Sequence, residues 1–396
     1  RNIGISSGTP VGILGGVRLT GRIGRWDMGF LDMQTAKHEE IAGENFGVLR
    51  MKRQVINPNS FVGGMITTRM GMNGHRNLAY GLDGIFRLFG DDYLTVKWAQ
   101  TYDSETGNGM LSLNPSFLLL DWTRRSEEGF AYSLNYIYSG REFTPGTGFV
   151  RRSAIQGFDG SLLYGWIAGE ASFLHNYNIN VRAERYTRVE DGQLEALQVA
   201  PGFEINTKRD LHAELSLEYQ QEGVSFDFPL SPDVWITAGN YRFTAIEGRI
   251  FTSESRMVSY GGELSAGQFY DGTRTGIESD INLNLSSSFR LSGGYEFNAI
   301  RFPDRDEGNL LNIHSANLKA LYMLNTKLSA SLFMQYVNTD DELITNFRLR
   351  YNPREGNDLY LVFNDIRAIA SNYSGPERPA FFNRTVMIKY THTFIL

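Results

Sequence analysis

Hydrophobic and polar residues alternate in three consecutive segments between positions 256 and 302, with almost no connecting residues between them. In residues 276–286 the odd positions are mostly apolar, with Ile277, Ile281, Leu283 and Leu285, and the even positions are Glu278, Asp280, Asn282 and Asn284. Residues 290–300 repeat the pattern, with Tyr295 and Phe297 on one set of alternate positions and Arg290 and Glu296 on the other. Successive side chains of a strand point to opposite faces, so each segment predicts a β-strand with one apolar and one polar face.

The same alternation recurs along nearly the whole chain, in segments longer than the usual five or six residues of soluble sheets. A short strand is expected at residues 1–6, and residues 223–239 form the longest irregular stretch, either a surface loop or a segment that folds inward. Short turns such as 208–210 alternate with longer loops such as 303–311. No useful helix period and no linker are present. We therefore predict about 22 strands, in the range 20–24, within a single domain over residues 1–396.

Two architectures fit such strands. In soluble β-sandwiches the apolar face is the core, whereas in an outer-membrane barrel it meets lipid and the polar face lines the interior. Strand length, alternating loop length and aromatics near strand ends on the apolar face (Trp26, Trp98, Tyr138, Tyr219, Tyr270, Tyr336, Tyr351) favour the barrel. The predicted fold class is all-β, a transmembrane antiparallel β-barrel of the bacterial outer membrane, with both chain ends in the periplasm.

The last segment alternates Val386, Ile388, Tyr390 and Phe394 with Met387, Lys389, Thr391 and Thr393. It resembles the terminal strand that the barrel assembly machinery of the outer membrane recognises, although His392 and Leu396 depart from its usual form. The assembly machinery and outer-membrane lipid, including lipopolysaccharide, are therefore expected partners, with other envelope proteins as further candidates.

Net charge and cysteine content exclude some classes of function. A net charge of −6 and a pI near 5.6 argue against a nucleic-acid partner, which would call for a basic surface. The absence of cysteine excludes disulfides and cysteine-based zinc sites. The chain begins at Arg1 with neither an initiator Met nor a signal peptide, so we expect a processed or partial chain.

Five segments carry a resemblance to a known family. They are Pro10-Val-Gly-Ile-Leu-Gly-Gly-Val-Arg-Leu-Thr-Gly-Arg-Ile-Gly-Arg-Trp26, Phe143-Thr-Pro-Gly-Thr-Gly-Phe-Val-Arg151, Ala238-Gly-Asn-Tyr-Arg-Phe243, Gly267-Gln-Phe-Tyr-Asp-Gly-Thr-Arg-Thr275 and Asn357-Asp-Leu-Tyr-Leu-Val-Phe-Asn364. The chain resembles an uncharacterised family of C-terminal outer-membrane β-barrel domains in Bacteroidota and related bacteria, which follow a family-9-type carbohydrate-binding domain. The resemblance implies location, architecture and an N-terminal periplasmic or accessory domain before Arg1. It carries over no catalytic residue.

Charged residues on the polar face are the candidate site. They are Arg18, Arg22, Arg50, Glu214, Glu218, Glu263, Glu278, Asp280, Arg290, Glu296, Lys319, Arg348 and Arg350. They are expected to line the interior, either as a polar pore or binding surface or as cross-strand ion pairs that brace the wall.

Acidic residues in one loop are the candidate metal ligands. Asp304, Asp306 and Glu307 supply hard oxygen ligands for Ca²⁺ in an extracellular loop, although their spacing is not that of an EF-hand. No other cofactor is expected.

Catalytic residues are not predicted. His212 and Ser216 share a face, but four residues along a strand separate them by about 13 Å, so we expect no enzyme. The leading hypothesis is a transport or conduit barrel for a small nutrient, with glycan-derived nutrients as candidates. The alternatives are a non-conducting structural or interaction subunit of an outer-membrane complex and, third, an outer-membrane hydrolase.

Overall fold

The chain is all-β in the computed structural model, which describes residues 3–6, 9–109, 112–339, 341–369 and 383–393. These residues form strands, turns and irregular connections, and none of them is helical. A helix long and apolar enough to cross a membrane is therefore not found in the described part of the chain.

The strands succeed one another along the chain. Their bounds are β1 (Ile5–Ser6), β2 (Thr9–Pro10), β3 (Ile13–Ile23), β4 (Trp26–Thr35), β5 (Glu44–Gln54), β6 (Phe61–Gly71), β7 (Arg76–Arg87), β8 (Asp92–Asp103), β9 (Ser116–Arg124), β10 (Gly129–Ser139), β11 (Ile155–Ile167), β12 (Leu174–Arg188), β13 (Leu194–Thr207), β14 (Leu211–Val224), β15 (Phe228–Ser231), β16 (Val234–Ile236), β17 (Gly239–Thr252), β18 (Val258–Phe269), β19 (Gly272–Asn284), β20 (Phe289–Arg301), β21 (Leu310–Met323), β22 (Leu328–Val337), β23 (Glu342–Arg354), β24 (Asn357–Ala368) and β25 (Asn383–His392).

Most of these strands belong to one sheet. Among the described residues, 21 strands (β3–β14 and β17–β25) follow one another in chain order as neighbours in this sheet. The pairs from β3 to β11 and from β14 to β25 are antiparallel. The predicted fold class, an antiparallel β-barrel of the outer-membrane kind, is confirmed, and 21 lies within the predicted range of 20–24.

The chain divides into two compact units. The first comprises Arg1–Trp166 and Asn180–Val199, and the second comprises Ile167–Ile179 and Ala200–Leu396. Within each unit antiparallel pairing places successive connections on alternate edges of the sheet.

In the first unit, one edge carries the turns 24–25, 55–60, 88–91 and 125–128, and we name it the short-turn edge. The other, the long-loop edge, carries 36–43, 72–75, 104–115 and 140–154. The first strand of the wall, β3, begins at the long-loop edge. The short strand predicted at residues 1–6 is not part of the wall, because its described part pairs with β2 as a separate two-stranded sheet, Ile5 opposite Pro10.

In the second unit the turns 208–210, 253–257, 285–288, 324–327 and 355–356 share the short-turn edge. The connections 225–238, 270–271, 302–309 and 338–341 share the long-loop edge. Strand β25 ends at the short-turn edge. Phe394 and Leu396, part of the predicted terminal signal, lie outside the described residues.

The register separates an apolar from a polar face in both units. Opposite each other on the apolar face stand Ile277 and Phe297, and on the polar face Glu278 and Glu296, as the alternation predicts. Large apolar side chains on the apolar face are open to the surroundings, with Leu82 64% and Ile388 73% exposed. A soluble protein would bury such a surface, so the exposure is typical of strands that face lipid.

Strand β8 carries two buried polar side chains on its apolar face, both 2% exposed. Near the short-turn edge the Asp92 carboxylate accepts hydrogen bonds from the Trp122 indole N–H (3.3 Å) and the Tyr132 hydroxyl (2.6 Å). Near the long-loop edge the Gln100 amide donates to the carbonyl oxygen of Ser112 (2.8 Å). The apolar residues Leu94, Val96 and Trp98 lie between them.

Candidate functional site: the polar face of the sheet

The arginines predicted for the interior lie on the polar face of the first unit, and two of the three are ion-paired. Arg22 Nε lies 2.5 Å from the Asp27 carboxylate. The Arg50 guanidinium binds both carboxylate oxygens of Asp83, with Nη2 2.7 Å from Oδ2. Arg18 stands opposite Leu31 in the register. Here the structure matches the alternative in which charges brace neighbouring strands.

The second unit places the predicted carboxylates together. In register across five adjacent strands stand, in order, Glu214, Arg249, Glu263, Glu278 and Glu296, which we name the glutamate row. Like charges directly opposite one another destabilise a sheet, so three neighbouring glutamates are a costly way to brace a wall. This group exceeds what structural pairing requires.

Two further predicted carboxylates flank this row on the same face. Asp280 lies two residues along β19 from Glu278 and opposite Gly294. Glu218 lies four residues along β14 from Glu214, and its carboxylate accepts a hydrogen bond from the Gln220 amide (3.1 Å). The polar face of the second unit is thus strongly acidic around the glutamate row.

Arg249, the cation within this row, was missed at the sequence level. Its Nε donates to Glu263 Oε2 at 2.9 Å, and its guanidinium also pairs with Glu247. The alternation that would have identified Arg249 is interrupted, because Tyr241 and Phe243 lie on the same face of β17 as Arg249. The sequence of that strand therefore shows no consistently polar face.

The remaining predicted cations lie on the same face of the second unit, nearer the short-turn edge. Arg290 Nη2 lies 2.8 Å from Glu254 in the turn before β18, and Arg350 Nε lies 2.6 Å from Asp358. The Lys319 ammonium sits 5.6 Å from the centre of the Phe333 ring, and Arg348 stands opposite Ser331. None of these four cations forms an observed ion pair with the glutamate row.

The predicted metal ligands Asp304, Asp306 and Glu307 are exposed. Among the described residues, the set of histidine and carboxylate ligand atoms that lies within 4.8 Å is instead His75, Asp103 and Glu105. In this set the Asp103 carboxylate is engaged in hydrogen bonds. Its Oδ2 accepts a hydrogen bond from the Asn77 amide (2.8 Å) and lies 3.0 Å from His75 Nε2.

The histidine considered for catalysis is engaged elsewhere. His212 Nδ1 lies 2.8 Å from Asn206 Oδ1 and 3.4 Å from Glu204, and no hydrogen bond joins it to Ser216 in the described structure. The pair does not form the nucleophile and base of a hydrolase.

In the first unit, residues 141–154, which we name the strap, fold from the long-loop edge onto the polar face. Asn77, only 3% exposed, donates to the Thr144 carbonyl (2.8 Å) and accepts from the Gly146 N–H (2.6 Å). The Phe143 ring stacks on Phe117, with ring centres 5.5 Å apart. The strap and the wall from β4 to β12 enclose a cavity of about 1560 Å³. The polar face is thus the concave one.

In the second unit, the stretch 223–239 folds inward. Its hairpin of β15 and β16 buries Val234 and Ile236 against Ile300 and Phe302, all four at most 3% exposed. Arg305 clamps it, because its guanidinium binds Asp271 (2.6 and 2.7 Å) and donates to the Trp235 carbonyl (2.8 Å).

The partners of this hairpin lie on the polar face, since Ile300 follows Glu296 and Asn298 at alternate positions of β20. In the adjoining turn, burial raises the pKa of the Tyr270 hydroxyl, and the Glu222 carboxylate beside it raises it further. The hairpin therefore covers part of the concave face, and the surface-loop option for residues 223–239 is wrong.

Comparisons with known proteins bear on the fold. No protein-family model matches the sequence, and no curated protein matches it. A solved structure that matches is the ferric-catecholate import receptor Fiu from E. coli K12 in its open form, with a TM-score of 0.52 and 9% sequence identity over 88% of this chain and 72% of that chain. At this identity the likeness shows the fold alone: this chain is similar to an outer-membrane receptor barrel in the path of its strands.

Proposed function

We propose that this protein is an outer-membrane β-barrel that conducts a small hydrophilic nutrient across the bacterial outer membrane. The glutamate row carries the proposal, because Glu278 and Glu296 add two carboxylates in direct register with Glu263, which already pairs with Arg249, and wall bracing does not need this additional charge. Rings of side-chain charge are how polar pores select their cargo.

The apolar face supports this location. Residues such as Leu82 and Ile388 are exposed in the described structure, and lipid is the medium in which such a face is stable. Outer-membrane lipid, including lipopolysaccharide, and the barrel assembly machinery are the partners that this location requires. The barrel fold is shared with a receptor whose name describes import, which favours transport.

The nutrient class is proposed as glycan-derived. This part rests on the family resemblance, in which the barrel follows a carbohydrate-binding domain on the same chain. A sugar-binding module next to a conduit would raise the local concentration of cargo at its mouth.

The second candidate is a non-conducting subunit of an outer-membrane complex. The hairpin of β15 and β16 favours it, because its buried core with Ile300 and Phe302 covers part of the concave face. The bidentate pair of Arg50 and Asp83 also braces the wall.

Recordings of the purified barrel in planar bilayers separate the two candidates. A conduit gives discrete current steps, and in a salt gradient its reversal potential indicates preference for cations. Replacing Glu263, Glu278 and Glu296 by glutamine should reduce that preference, whereas Glu170→Gln, in an exposed turn, should leave it unchanged. A correctly folded barrel that passes no current and co-purifies in fixed ratio with other envelope proteins would establish the structural role.

A further inference from the structure

The apolar face of β17 to β20 carries charge at one end only. On the face that bears Ile277 and Phe297, the register places Arg242 and Arg301 at the long-loop ends of β17 and β20. The residues of this face nearest the short-turn edge are uncharged, namely Thr252, Val258, Leu283 and Leu291. Among the described residues of these four strands, no carboxylate lies on this face.

The two arginines lack protein counter-ions. Both side chains are exposed, and neither forms an ion pair or a side-chain hydrogen bond with another described residue. Arg242 stands opposite Gln221, and Arg301 stands between Thr273 and Leu310. Basic residues at a membrane surface are attracted to anionic lipid headgroups, and here no carboxylate on the same face competes for them.

The acidic loop after β20 is tied to the opposite face of the sheet. It carries Asp304, Asp306 and Glu307, only a few residues beyond Arg301. Phe302 at its start is buried in the hairpin cluster on the concave face, and the Arg305 guanidinium donates to the Trp235 carbonyl in that hairpin (2.8 Å). The loop therefore folds toward the concave face, away from the outward side of Arg301.

Neutral polar side chains lie between the two arginines. Four of them are exposed on the apolar face near the long-loop edge, namely Thr244, Gln268, Thr273 and Thr275. Thr273 stands directly opposite both Gln268 and Arg301. Closer to the middle of the strands the same face continues with the exposed apolar residues Ile246, Leu264 and Ile277. The surface thus joins two cations and a strip of hydrogen-bonding groups to an apolar wall.

The spacing of the arginines is set by the register. Ile246, Ala266, Thr275 and Ala299 form one row across the four strands. Three strand spacings of about 4.8 Å make this row about 14 Å long. Arg242 lies four residues beyond its end of the row and Arg301 two, so their α-carbons are about 16 Å apart. Side chains stand roughly perpendicular to a sheet, so each guanidinium needs an anion of its own.

We infer that this surface binds the lipid A headgroup of lipopolysaccharide. That headgroup is a disaccharide with a phosphate at each end, so its phosphates meet Arg242 and Arg301 while its sugars lie over the threonines and Gln268. Guanidinium groups bind phosphate oxygens in pairs, which favours arginine at both positions. A phospholipid has a single phosphate and occupies one arginine at most.

The position of the surface agrees with this ligand. Longer connections of outer-membrane barrels face the cell exterior, so the long-loop edge borders the leaflet that contains lipopolysaccharide. The uncharged short-turn end of the same strands borders the phospholipid leaflet. The inference rests on the proposed outer-membrane location, and it does not require that the barrel conducts.

Native mass spectrometry of the full chain, released from detergent micelles, tests the inference by counting bound lipid. The probes are bisphosphorylated lipid A, the monophosphorylated form with the same acyl chains, and phosphatidylglycerol. Titrations are made in EDTA, because divalent cations would compete with the arginines for phosphate. Bisphosphorylated lipid A should bind at least about tenfold more tightly than either other lipid, the value of one hydrogen bond to a charged group.

Substitution of either arginine should remove this preference. Arg242→Gln and Arg301→Gln should each weaken the binding of bisphosphorylated lipid A about tenfold. Neither exposed side chain contributes to the fold, and unchanged heat-dependent gel mobility verifies this. Arg209→Gln is the matched control, because Arg209 is an exposed arginine in the turn 208–210 at the short-turn edge. It should leave the affinity unchanged.

Two results would overturn the inference. One is equal affinity for bisphosphorylated lipid A and phosphatidylglycerol, and the other is unchanged binding of lipid A by both arginine variants. Specific binding of lipid A without bilayer current would support this site and refute the conduit. Current without a preference for lipid A would support the conduit and refute this site.

Discussion

Replacing Ile236 by alanine should release the hairpin of β15 and β16 from the concave face. The Ile236 side chain is completely buried among Val234, Ile300 and Phe302. Removing such a side chain costs about 2–5 kcal/mol because the cavity it leaves does not fully collapse. A two-stranded hairpin has little stability of its own, so this loss falls on its docking. A loss of about 3 kcal/mol raises the open population about 150-fold.

Hydrogen–deuterium exchange of peptides that cover residues 228–236 measures this opening directly, since amides exchange in proportion to the open population. Trp235→Ala is the matched control, because that side chain is 50% exposed and the Arg305 clamp uses only its backbone carbonyl. The control should exchange within about threefold of the unaltered chain. Equal exchange in both variants would show that the buried cluster does not hold the hairpin.

Two further predictions concern the strap and the glutamate row. Asn77→Leu removes the hydrogen bonds to the Thr144 carbonyl and from the Gly146 N–H, so exchange in residues 143–150 should rise at least about tenfold; an unchanged rate would show that the strap is held elsewhere. Glu278→Gln removes the middle charge of three opposed glutamates and should stabilise the barrel by about 0.5 kcal/mol, more at low salt. Thermal unfolding, followed by the change in gel mobility, compares Glu278→Gln with the control Glu170→Gln. A lower unfolding temperature for Glu278→Gln than for the control would contradict repulsion among the three glutamates.

The alternation of apolar and polar residues predicts the wall well because side-chain direction in a strand depends on position alone. Residues 276–286 are a predicted strand, and the structure has β19 at Gly272–Asn284. Glu278 and Glu296 were assigned to one face from the sequence, and the register places them side by side. The sequence could not show which charges on that face form ion pairs, because the pairing depends on the register between strands.

The segments that fold onto the concave face could not be predicted. Asn77 anchors Gly146, 69 residues away in sequence, and such a contact leaves no local pattern. The hairpin of β15 and β16 has strands of four and three residues, too short for a period to be recognised. Arg249 was missed because aromatic partners of the hairpin share its face. The strap and the hairpin of β15 and β16 depend on contacts between residues far apart in sequence, so the local pattern of apolar and polar residues does not predict them.

The two buried polar side chains of β8 have a consequence for how deeply the protein sits in a bilayer. Asp92 and Gln100 are eight residues apart, about 27 Å along an antiparallel strand. At a tilt of about 40° this spans about 21 Å of vertical height, close to the ~25 Å band that outer-membrane barrels present to lipid. The two polar side chains therefore lie near the two boundaries of the lipid-facing band. Asp92, hydrogen-bonded to Trp122 and Tyr132, lies at the short-turn boundary, and Gln100, hydrogen-bonded to Ser112, lies at the long-loop boundary. Moving either polar side chain by two residues along β8 should shift the depth at which the barrel sits in the bilayer.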